Sequence, residues 1–372
     1  MIGAMNRDRL TAFLMLLPSI ILVAIFVYGF IAWTGYTSTT NSTALQQLSR
    51  QPAQVVGLQN YAELFSGDLQ RRFRIDIVNT VFFTVMFIGV CLAVGMGLAI
   101  LLDQKIKGES IFRTIFLFPM AISFIVTGVV WKWLFNPTSG LNMLPSYLGL
   151  PPLRFDWFIS EQQIWQFNWQ DLPQIIAIIV LGVVLLAALY QWRKHRTQTA
   201  ALLAAAAILL IALIAFQVPA RFNGLARPET HGFNLALLAV VLAAGWQMSG
   251  YTMAMYLAGL RGIPEELREA ARVDGATEFG IYRYVVFPLL APITLSAMII
   301  LGHISLKIFD LVYTLGGGDN LWIDMPGINM FFTTFRAQDF GRGAAIAMIM
   351  LIMVAVVIVP YLYSQLRTEV ER

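Results

Sequence analysis

A chain of 372 residues that is 58% apolar and 12% charged, with a mean hydropathy of +0.71, is too hydrophobic for a water-soluble domain. Such domains carry about a quarter of their residues charged. The net charge of +4 is spread over loops, which excludes a nucleic-acid patch, and the single cysteine, Cys91, excludes an internal disulfide. In chain order, hydropathy predicts eight spans: residues 11–33, 80–102, 114–131, 172–192, 197–220, 232–260, 285–313 and 343–366. Each reaches or approaches the ~20 residues a helix needs to cross ~30 Å of hydrocarbon. Only 285–313 is interrupted by charge, at Lys307 and Asp310, with His303 close by. The runs are continuous rather than alternating, so helices are expected and not a barrel. The first run follows Arg7 and Arg9, as a secretory signal would. It is too long for a signal h-region and no small-residue cleavage site follows, so it is read as a retained span.

The chain divides into 1–33, an N-terminus and first span; 34–79, an extracytoplasmic loop; and 80–160, the second and third spans with an external loop. A transmembrane hairpin, 161–230, and the remaining spans, 231–372, follow. A cytoplasmic N-terminus puts the larger share of Lys and Arg inside, the basic turn at 193–196 most clearly, although Arg71, Arg72 and Arg74 fall outside. Both termini are then cytoplasmic. The tryptophans Trp33, Trp131, Trp133, Trp157, Trp165, Trp169 and Trp192 sit at the predicted interfaces, as an aromatic belt does. The hairpin is rich in Ala and Leu, and lipid packing is expected for it.

The charged stretch 261–288 lies between two apolar runs. Pro264, Glu265 and Glu266 suit a helix start, Gly275 a turn with positive φ, and Thr277 the cap of a second helix. Glu269-Ala270-Ala271, Gly275 and Val285-Val286-Phe287-Pro288 then fall at the full spacing of the EAA motif. The segment resembles that motif in the permeases of binding-protein-dependent ABC importers. The stretches 112–137, 257–276 and 307–319 are similar to the sugar-permease branch. The resemblance covers about 10–160 and 231–368 and leaves 161–230 as an addition to the usual six spans.

That resemblance implies an all-α integral membrane protein with the MetI-like type I importer fold and about eight helices. It implies work in a bacterial or archaeal cytoplasmic membrane. A second permease subunit, two ATP-binding subunits and an extracytoplasmic solute-binding protein would be its partners, and a sugar the cargo. Glu269, Ala270, Ala271, Asp274, Gly275 and Pro288 would couple to the ATPases. This chain has no GxxxxGK[ST] run and no catalytic or metal-binding constellation, so ATP and Mg would be used by partner subunits and no cofactor by this chain. His195 and His231 read as ordinary loop residues.

Polar groups inside spans are candidates for a substrate path. Trp246, Gln247, Ser249 and Tyr251 precede the insert: an aromatic face suits a sugar ring, and amides and hydroxyls suit its hydroxyls. His303, Lys307 and Asp310 follow it, at spacings that put His303 and Lys307 on one helical face and let Lys307 pair with Asp310. Two alternatives stay open. One is a permease for glycerol phosphate, amino acids or peptides. The other is a stand-alone secondary transporter, for which no inverted repeat is found.

Overall fold

The computed structural model describes the backbone of residues 2–370 apart from Lys105 and Asn223, and the side chains within 11–360. Arg7, Arg9, Lys105, Arg367 and Arg372, which carry part of the predicted charge asymmetry, have side chains outside the described residues. The first span is a helix, α1 (Ile2–Val23), that widens through a π-helical turn, Ala24–Gly29, into α2 (Phe30–Ser38). Helix α3 (Arg71–Asp103) is the second span.

The third apolar run is not one rod. It forms α4 (Glu109–Ala121) and α5 (Phe124–Leu134), bent by 100° against each other. Pro119 weakens the end of α4, Ile122 turns extended, and Ser123 starts α5 by accepting a hydrogen bond from the Val126 N–H. Among the described residues seven helices are long and apolar enough to cross a membrane, and an eighth crossing is counted if this bent pair is one span.

The added hairpin is α6 (Leu172–Arg193) and α7 (Thr197–Ala215). Its base is closed by a two-stranded antiparallel ribbon, β1 (Gln163–Asn168) and β2 (Thr230–Asn234), which hydropathy did not reveal. The run 232–260 therefore begins as strand, and helix α8 (Leu235–Arg261) starts only after Asn234 caps it through the Leu237 N–H.

Helices α3 and α8 run parallel and are the most extensively packed pair in the protein. Between membrane helices, close approach depends on small side chains. A Cβ on Gly95 of α3 would overlap Thr252 of α8, whose hydroxyl bonds Cys91 O at 2.6 Å. Around this pair lie Phe83, Phe87, Val240, Leu301 and Val312, all fully buried. Helix α8 leads to the charged insert, α9 (Glu265–Val273) and α10 (Glu278–Ile281). A π-helical turn, Tyr282–Val286, then opens α11 (Phe287–Leu306).

The run 285–313 is likewise divided. Helix α11 ends at Leu306 with Lys307 as its cap, and a separate helix, α12 (Asp310–Leu315), begins three residues later. A short α13 (Pro326–Phe331) leads to the final span, α14 (Phe340–Val370). The tryptophans divide as well. Trp33, Trp133, Trp165 and Trp192 are exposed, as a belt requires. Trp169 is buried, and Trp157 stacks on Phe135 at 4.5 Å, so these two are packing residues.

Candidate functional site: the charged insert and its bundle

Helix α9 buries none of its residues. Glu265 and Glu266 occupy its first turn, where the helix dipole favours acids, and Pro264 is its N-cap. It ends in a Schellman arrangement: Gly275 N–H bonds Arg272 O at 3.0 Å and Ala276 N–H bonds Ala271 O at 3.0 Å. Gly275 sits at φ +82 with open space where a Cβ would go. Its requirement is one of backbone conformation and not of room. Thr277 caps α10 by accepting from the Gly280 N–H at 3.2 Å, as the sequence predicts.

Glu269, Ala270, Asp274 and Gly275 are exposed, while Ala271 is half-buried against a cluster built on Tyr256, Leu260 and Ile281. Pro288 follows the π turn, where the Phe287 N–H reaches back to Tyr282 O. The proline thus stands where the helical register has already widened, a common device at functional bends. Large apolar side chains stand open beside the charges: Val273 is 88% exposed, Phe279 70% and Tyr284 75%.

Ion pairs fix the insert. Arg272 holds Glu278 at 3.0 Å and Glu265 at 3.5 Å, all three exposed. Arg268 reaches Asp103 at the end of α3, 2.9 Å, and donates to Leu260 O at the end of α8, 3.1 Å. Arg261 meets Glu109 at 2.7 Å, and Glu109 also pairs with Arg113. Asp103, Arg268, Arg272, Glu278 and Tyr282 line an open hollow of about 400 Å³ under the insert.

The path candidates do not form one constellation. Gln247 is buried and donates through Nε2 to Ile122 O at 2.8 Å, the carbonyl freed at the α4–α5 break; its Oε1 has no partner. Ser249 is buried and donates to Gly245 O at 2.5 Å in its own helix. Tyr251 is half-buried against the main core. Trp246 alone of the four is open, edge-on to Trp131 at 5.8 Å. His303 is half-buried on α11, but Lys307 and Asp310 are exposed and belong to a cap and a new helix, so the predicted common face ends at Leu306. Among the described residues no ion pair joins Lys307 to Asp310, and no hydrogen bond or ring contact links the two candidate groups.

At the opposite end of α3, sequence reading missed a second set of charges. Arg74, 1% exposed, donates to Glu229 of the loop before β2 at 2.7 and 2.9 Å, and to Gly67 O at 2.9 Å. His231 is no ordinary loop residue. It is buried in β2 with Nε2 3.2 Å from Glu229, and burial holds its pKa down at about 4. Arg72 meets Asp324 at 2.6 Å, and burial pushes that carboxyl up to about 6. The only local signal for the ribbon was aromatic and β-branched content, Ile164, Trp165 and Phe167 in one strand and Phe233 in the other, without a clean alternation.

A bundle of seven or eight membrane-length helices with a charged insert between two of them defines a multi-pass membrane protein. The particular family follows from likeness. The description "binding-protein-dependent transport system inner membrane component" matches residues 196–372. A probable ABC transporter permease protein of Pyrococcus horikoshii is 33% identical over 96% of both chains. The xylose/arabinose import permease protein XacH of Haloferax volcanii is 31% identical over 93% of this chain and 84% of its own. A bacterial ABC transporter that imports alginate has a chain of the same fold, with a TM-score of 0.62 at 17% identity, covering 95% of this chain and 96% of that one. The chain belongs to this family and is a transport subunit of an ABC importer, not an enzyme.

Proposed function

We propose that this permease subunit imports a sugar, and that α9 is the contact through which ATP-binding partner subunits drive it. The observation that carries the coupling reading is α9 itself. Apart from the inward Arg268 and Ala271 it is exposed along its length, stopped by Gly275, and carries open Val273 with Phe279 just beyond, yet is held between two spanning helices. An apolar surface so exposed beside charges is what a docking partner covers. Two ATPases, a second permease and an extracytoplasmic binding protein complete the importer. ATP and Mg act on the ATPases, and α9 faces the cytoplasm with both termini. The sugar reading draws on XacH and on the trehalose/maltose permease MalF of Thermococcus litoralis, 23% identical over 96% of this chain. Within the bundle, Trp246, His303, Lys307 and Asp310 keep exposed or half-exposed surface for a passing solute, with Gln247, Ser249 and Tyr251 behind them.

The test is reconstitution with the partner subunits and uptake of a labelled pentose, a disaccharide and glycerol 3-phosphate in parallel. Sugar uptake is expected. Uptake of glycerol 3-phosphate alone would move the substrate to the phosphate-carrying class, as for the 24% identical UgpA of Agrobacterium fabrum. Ala271→Asp places an unpaired charge against the Tyr256, Leu260 and Ile281 cluster that seats α9 under its docking face, costing several kcal/mol. It and Gly275→Val should leave the subunit membrane-inserted while ATPase co-purification falls. Wild-type association and uptake in both variants would remove the coupling assignment.

A further inference from the structure

We infer that Arg268 is the positioning residue that transmits movement of α9 to the paired helices α3 and α8, through its bonds to Asp103 and Leu260. The inference rests on the coupling reading above and adds the route into the bundle. Helix α9 buries no residue, so it has little packing by which to pull. Of its two arginines, Arg272 bonds only within the insert, to Glu265 and Glu278. Among the described residues Arg268 is the arginine of α9 that bonds outside the insert. One guanidinium nitrogen holds Asp103 Oδ2 at 2.9 Å and the other donates to Leu260 O at 3.1 Å.

These two acceptors are the ends of the two most closely packed helices in the protein. A planar guanidinium with fixed donor directions holds both at once, which a lysine ammonium does not reproduce. Asp103 and Arg268 are largely sheltered, their side chains 12% and 13% exposed, so water screens this pair less than the open Arg272 pairs. Apolar contacts at Ile263 and Ala271 keep the insert seated but carry no direction. A displacement of α9 therefore reaches α3 and α8 together, and α3 continues to the ribbon end at Arg72 and Arg74.

The experiment uses the assembled importer and compares Arg268→Gln, Asp103→Asn, Arg268→Lys and the exchange Arg268→Asp with Asp103→Arg. Co-purification of the ATPases, ATP hydrolysis and solute uptake are measured on each. The single neutral variants should keep ATPase association and hydrolysis while uptake per ATP falls about tenfold, within the usual range of coupling between sites. The exchange should recover part of that ratio, and Arg268→Lys should recover less than full coupling because it drops one of the two acceptors. Wild-type uptake per ATP in Arg268→Gln and Asp103→Asn overturns the inference while leaving the coupling assignment, tested by Ala271→Asp, in place. Loss of ATPase association in the single variants makes Arg268 a docking residue and equally overturns it. If the neutral variants do not assemble, the exchange decides, since it restores a charge pair: an assembled exchange variant with no recovery of uptake per ATP rejects the transmitting role.

Discussion

The two ends of helix α3 use charge in opposite ways. At Arg72–Asp76 the acids and Arg74 are buried or nearly so: Arg74 with Glu229, Asp324 with the half-buried Arg72, and Asp76 accepting from Asn329 at 2.6 Å. At the other end the Asp103–Arg268 pair is sheltered, but the remaining charges of α9 and α10 lie in the open, where Glu265, Arg272 and Glu278 pair on the surface. Buried pairs fix geometry because breaking one strands its partner in a low dielectric. Exposed pairs are cheap to rearrange. The ribbon end is built to stay, and the insert end to be handled by something else.

Four substitutions break or sharpen that contrast. The largest effect is expected for Arg74→Ala, which leaves Glu229 short of its buried partner and should cost about 3–5 kcal/mol in detergent-solubilised unfolding. A cost below that of a surface substitution would mean that water reaches this end. Gln247→Leu comes next. It frees Ile122 O at the helix break, and should cost about 1–3 kcal/mol by the same measurement; an unchanged midpoint would show that the carbonyl finds another donor.

The third is conditional on pH. His231 has its folded pKa lowered from 6.5 to about 4, so its neutral form is the folded one. Its contribution is complete above about pH 6.5 and is lost as pH falls towards 4, because only the unfolded chain takes the proton in that window. Asp324, raised to about 6, pulls the other way, favouring low pH. The difference between wild type and His231→Asn cancels that second effect. The gap between their unfolding curves should change between pH 6.5 and 4, and a constant gap would deny His231 its buried neutral state. The smallest effect is expected for Arg272→Ala, whose pairs are exposed. Its unfolding midpoint should match wild type; a clear fall would mean the insert is held as firmly as the ribbon end.

The sequence displayed what is local. Span existence follows from runs of apolar residues, and the insert from Pro264, Gly275 and Thr277, each acting within a turn of its own position. What stayed hidden is either directional or distant. Hydropathy carries no direction, so 114–131 read as one rod although Pro119 and Ser123 mark a break. The same blindness joined His303 to Lys307 and Asp310 across the end of α11. Arg74 and Glu229 lie 155 positions apart, and Arg72 and Asp324 252, so no spacing rule could join them. Arg268 was legible as a charge in the insert, but Asp103, 165 positions earlier, was not legible as its acceptor. Gln247 looked like a hydroxyl partner for a solute because its real acceptor, Ile122 O, exists only once the helix is broken.

The ribbon that closes the hairpin has one more consequence. Asn168 and Thr230 are register partners, so the chain leaves the core and returns to it one strand spacing away. The two helices between them form a cassette joined to the rest at its root, where Glu229 meets Arg74 and Trp169 and Leu225 pack on Val78: α6 and α7 pack mainly on each other, and Gln174 of one bonds Ile214 O beyond the other's midpoint at 3.1 Å. A tight turn joining β1 to β2 would close the same gap. Two membrane crossings could therefore be spliced in or out of such a permease in a single genetic event. Their number being even, neither end of the remaining chain would change sides.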